Sequence, residues 1–157
     1  MARKYWIDLP PTAITTIVDV VEIQPADDKP VTVLAVHLLQ TTDVGDAAEE
    51  VLGLSWLRGF TASGTLGTTA GATPRPVDPD DAAAGMVAEA FNTTLASGGT
   101  AVTMGRMGWN VRIPLVEIYV PGGGVKVTQA NTTLVLRLDA APVDSLTMSG
   151  SILVEEG

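Results

Sequence analysis

The strongest constraint on this chain is the period-two alternation near its C-terminus, because successive side chains of an extended strand point to opposite faces. Leu134, Leu136 and Leu138 fall on one side while Val135 and Arg137 fall on the other. After Ala140-Ala141-Pro142 the pattern returns, with Leu146, Met148, Ile152 and Val154 inward and Thr147, Ser149, Ser151 and Glu155 outward. Two such half-buried strands need a second layer to bury their apolar faces.

The rest of the chain carries the same signature. Ala13 to Ile23 is rich in β-branched residues and ends at a turn cluster between Pro25 and Pro30. Val31 to Gln40 is a near-continuous apolar run, as in a strand buried on both faces, and Val51 to Phe60 alternates. Met86 to Leu95, Ala101 to Ile113, Leu115 to Val120 and Val125 to Gln129 read as further extended segments. Pro114 and the glycines 98–99 and 122–124 mark the breaks between them. Eight or nine short strands at this spacing predict an all-β antiparallel sandwich of jelly-roll type. Helix is expected in at most one or two turns, near Asp46 and over Pro79–Gly85, where acidic caps, alanines and a terminal glycine coincide.

A chain of 157 residues suits one domain, here 1–157. Residues 1–12 read as an N-terminal segment, and residues 61–81, almost wholly Gly, Ser, Thr, Ala, Pro and Asp, as a long surface loop. No cysteine is present, so disulfides and thiolate chemistry are excluded. The formal charge of −9 argues against nucleic acid, whose binding depends on neutralising phosphates. With no signal-like segment and no span of about 20 apolar residues, synthesis in the cytoplasm and no membrane association are expected.

Candidate chemistry is sparse. His37 is the only histidine and sits in an apolar run, which favours a structural role. The glycine clusters lack phosphate-loop context. The acidic groups Asp78, Asp80, Asp81 and Asp43, Asp46, Glu49, Glu50 do not match a calcium-loop spacing, so capping and solvation are the favoured roles. No catalytic, cofactor or metal residue is assigned, and the chain is not expected to be an enzyme. The aromatics are scattered singly, and Tyr5, Trp6, Trp109 and Tyr119 are the candidate subunit-interface anchors. Trp6 stands out because a short terminal segment is hard for a monomer to tie down.

Four strings resemble small tailed-bacteriophage virion proteins of the capsid decoration or head-associated β-sandwich kind. They are Tyr5-Trp6-Ile7-Asp8, Pro76 through Gly85, Ser97-Gly98-Gly99-Thr100, and the ending from Leu134 to Glu156. The resemblance implies a viral structural protein, a decoration or cement subunit on the outer surface of the head. Its partners would be copies of itself, as a homotrimer, and the major capsid protein or other virion proteins. A tail, fibre or adaptor component and a host-surface carbohydrate-binding sandwich are the alternatives.

Overall fold

The computed structural model describes residues 1–41, 50–69, 71–128 and 133–157. Eleven strands and no helix make up the regular structure of these residues. One sheet runs β5-β1-β11-β3-β8, from β1 (Arg3–Ile14), β3 (Val31–Gln40), β5 (Arg75–Pro76), β8 (Leu115–Ile118) and β11 (Leu146–Glu156). The short β9 (Lys126–Val127) also pairs with β3. The second sheet runs β6-β2-β10-β4-β7, from β2 (Asp19–Gln24), β4 (Val51–Phe60), β6 (Val87–Asn92), β7 (Val102–Asn110) and β10 (Thr133–Leu138).

Apart from β5, β6 and β9, the strands form a nested series. The first pairs with the last (β1 with β11), β2 with β10, β3 with β8 and β4 with β7, all antiparallel. That nesting is the jelly roll. The period-two pattern creates it: Ile7, Leu38 and Ile152 of the first sheet meet Ile23, Leu54 and Leu136 of the second in one buried core.

Several local expectations are corrected. Residues 3–14 are no loose terminal segment but form β1, whose Tyr5, Ile7 and Leu9 enter the core and whose backbone pairs with β11 from Arg3 to Ile14. Pro10 and Pro11 fall where that register shifts, since proline cannot donate to the ladder. The run from Ala13 to Ile23 is divided, because the chain leaves the first sheet after Ile14 and enters the second at Asp19. Val31–Gln40 is covered on one face only, leaving Leu39 exposed and His37 half-buried on the other.

No helix forms over Pro79–Gly85. Its polar backbone groups are held by side chains instead. The Glu156 carboxylate accepts the Gly85 and Met86 N–H groups at 3.0 and 2.7 Å, the Ala82 carbonyl accepts the Tyr5 hydroxyl, and Arg3 pairs with Asp81 at 3.1 Å. Those bonds compete with helical ones for the same groups. The helical turn expected near Asp46 lies outside the described residues, as do Asp43 and Glu49.

Candidate functional site

The outward face of the first sheet is built by parity. Since Tyr5 and Ile7 point into the core, Lys4, Trp6 and Asp8 point out. The register then lines up cross-strand rows, one of them Trp6, Leu153, Ala35 and Ile118, and the next Lys4, Glu155, Thr32 and Lys126. A third row runs Asp8, Ser151, His37 and Val116. In the first row the middle positions are low and the flanks high, so the face is concave between Trp6 and Ile118. Three strand spacings of about 4.8 Å set those flanks roughly 14 Å apart at the backbone.

The far wall comes from the stretch after β8. The Tyr119 N–H donates to the Leu34 carbonyl, the chain then leaves the sheet at 120–124, and the Val125 carbonyl accepts the Val33 N–H on its return. This excursion needs glycine. Gly122 has φ +81°, and a Cβ on Gly124 would collide with the Val33 carbonyl. The result is a cleft of about 710 Å³ with Trp6, His37, Ile118, Pro121, Lys126 and Glu155 among its lining residues. A shallower depression of about 380 Å³, lined by Asp8, Leu39 and Ser151, continues beyond His37 on the same face.

Trp6 is 37% exposed, and its ring lies 6.0 Å from that of His37 at an interplanar angle of 53°. His37 is thus a neighbour that steadies the indole. Tyr119 links the cleft wall to the core, its hydroxyl accepting the Trp56 Nε1–H at 2.9 Å. Burial pushes the Tyr119 phenol pKa up, against the Trp56 hydrogen bond, with a smaller upward push from Glu117.

The four candidate interface aromatics occupy different places. Trp6 and Tyr119 line the cleft. Tyr5 is fully buried in the core, and Trp109 is 1% exposed with its indole N–H donating to the Ile113 carbonyl at 2.8 Å. Both spend their area inside the chain. Of the acidic groups, Asp81 pairs with Arg3, the Asp80 N–H donates to the Asp78 carboxylate, and Glu50 accepts the Val143 N–H. Among the described residues, no three His, Asp or Glu side chains gather as a metal-holding group.

Sequence reasoning missed Lys4, Lys126 and Glu155 as neighbours, because they come from three strands distant in the chain. Only the pairings of β1, β11, β3 and β9 bring them into one row. Comparison with protein-family models, with curated proteins and with solved structures gave no match.

Proposed function

We propose that this chain is a non-enzymatic virion structural protein, a capsid decoration or cement subunit that associates with copies of itself and docks on the head. The observation that carries the self-association is the flank where β7 and β8 end their sheets. Among the described residues each of these strands has one edge without a strand partner, and several of the exposed side chains along them are apolar. Val102 and Met104 lie on β7, Ile113 on the connection, Val116 and Ile118 on β8 and Val120 just beyond, the last two 71% and 72% exposed. A bare apolar edge invites pairing with another chain, and a closed oligomer covers it without propagating.

The opposite flank supports the same reading by contrast, since its edge strands β5 and β6 border the segment 77–86, tied down by Tyr5, Arg3 and Glu156. The resemblance of Tyr5–Asp8, Pro76–Gly85 and Leu134–Glu156 to phage head-associated proteins supplies the setting, and the acidic balance suits an exterior surface.

Native mass spectrometry of the purified chain, paired with cryo-EM of intact particles, tests both parts. A closed oligomer, a trimer in the form the resemblance implies, and density on the head at near-capsid copy number are expected. A chain that stays monomeric at its highest attainable concentration overturns the self-association. Density at the tail or an adaptor ring instead of the head overturns the decoration role.

A further inference from the structure

The cleft on the first sheet shares its Ile118 wall with the β7/β8 flank, but its Trp6 wall and its charged groups are not among the apolar residues that carry the self-association. Its floor is apolar and narrow, with Leu153 and Ala35 between Trp6 and the 120–124 excursion. One end bears charge. The chain has three lysines, and two of them, Lys4 and Lys126, line this cleft with Glu155 between them in the register. Among the described residues, no ion pair engages Lys4, Lys126 or Glu155.

A fixed aromatic face beside charged donors and a carboxylate acceptor is the chemistry that holds a sugar ring: the face takes the ring's C–H groups and the polar side chains take its hydroxyls. The cation excess at one end of a cleft in a chain of net charge −9 singles out a ligand with an acidic group. We propose that this cleft binds an acidic saccharide, one ring lying against the Trp6 indole and its anionic substituent held by Lys4 and Lys126. Glu155 accepts a ring hydroxyl. His37, packed against the indole, sets its tilt.

The cleft volume of about 710 Å³ lies within the roughly 300–1,000 Å³ range of small-ligand sites. That is room for one or two rings. The shallow depression past His37 extends the path for a longer chain along β11 and β3.

The test is a printed array carrying uronate-, sialate- and sulfate-bearing glycans beside neutral glucans, probed with the full chain, with calorimetry on the best acidic hit. Acidic glycans are expected to bind and neutral ones not. Trp6→Ala is expected to weaken the hit by at least about tenfold, as loss of an aromatic anchor does. The double variant Lys4→Gln with Lys126→Gln is expected to lower affinity for the acidic hit and to flatten its salt dependence. Cooperative melting transitions show that the variants remain folded, and an unchanged native mass for Trp6→Ala keeps this site distinct from the subunit contact. No acidic hit, equal binding of neutral glucans, or a hit indifferent to Trp6→Ala overturns the proposal. A Trp6→Ala chain that falls from oligomer to monomer also overturns it, reassigning the cleft to a second copy.

Discussion

The two outer faces of the sandwich treat polar side chains in opposite ways. On the second sheet, Asp19, Glu22 and Arg137 face away from the core, yet they are covered. Residues 62–68 run antiparallel to 90–97 through bridges at Ala62–Ser97, Thr65–Thr94 and Thr68–Ala90, and this strap lies over β2 and β10. The Asp19 carboxylate takes Arg137 Nε at 2.6 Å, Arg137 Nη2 at 3.1 Å and the Ala96 N–H at 2.8 Å. The same guanidinium donates to the Ala96 carbonyl and sits 4.8 Å above the Phe60 ring. Glu22 accepts from Ser63 Oγ, the Gly64 N–H, Gln24 and Asn92. On the first sheet Lys4, Glu155 and Lys126 have no such cover. One face spends its polar groups on holding the chain together, and the other leaves them for a visitor.

If that contrast is right, substitutions on the covered face cost more stability than those on the open face. The largest effect belongs to Asp19→Ala. Asp19 is fully buried, and its loss strands both the Arg137 guanidinium and the Ala96 N–H, a cost of about 3–5 kcal/mol for breaking a buried ion pair. Urea unfolding of the variant reads this directly. A loss under about 1 kcal/mol, the scale of exposed pairs, would erase the distinction between the faces.

Glu22→Gln ranks next. The amide keeps the shape but replaces one accepting oxygen with a donor that faces the Gly64 N–H or the Ser63 hydroxyl, which costs about 1–3 kcal/mol. Hydrogen exchange is the sharper readout, because the Gly64 and Thr65 amides should lose protection before the core strands do. Uniform loss across both sheets would mean the strap is not a separate unit. Gly67 belongs to the same device: a Cβ there would meet the Ala90 carbonyl and the Asn92 side chain, so the strap cannot lie as close with any other residue.

Little of the covered face was legible in the sequence, and Asp19 and Glu22 show why. Three residues apart, they fall on opposite faces of a regular strand. Both point outward because the register breaks at Val20, where Arg137 pairs with Asp19 and Leu136 with Val21. Phe91 makes the matching irregularity on β6, with φ +57° between Ala90 and Asn92. Period-two reasoning succeeds where the strand being read carries no extra residue, as in Leu134–Leu138 and Leu146–Val154, whose register shifts are absorbed by the partner strands, and fails where the bulge lies in the strand itself, as at Val20. The open face was hidden differently. Residues 1–12 read only as an N-terminal segment, so Trp6 had no strand parity to place it, and Lys126 had no visible relation to Lys4.

Trp6→Ala should cost less stability than Asp19→Ala. The indole is 37% exposed on the open face, and its removal leaves Tyr5 and Ile7 in the core, so about 2 kcal/mol is expected from the apolar area lost. A cooperative thermal melt lowered by less than about 10 °C checks this. A collapse comparable to Asp19→Ala would show that Trp6 is structural and that the open face is closed in practice.

The smallest effect sharpens the boundary between the open face and the core, which is Tyr119. Its phenol pKa is raised above the ordinary value of 10.0, chiefly by burial, so the folded chain holds that proton more tightly than the unfolded chain does. Below the unfolded pKa both states keep the proton and the contribution is complete. As pH rises past it the unfolded state ionises first, and stability falls until the folded phenol ionises too. Denaturant midpoints from about pH 8 to about pH 11 should therefore decline more steeply for the parent than for Tyr119→Phe, which has no proton to lose there. The drop is small because the ring is only half-buried and water screens the phenolate. Parallel curves for the two proteins would place Tyr119 on the solvent side of the boundary, and the Trp56 hydrogen bond would no longer join cleft to core.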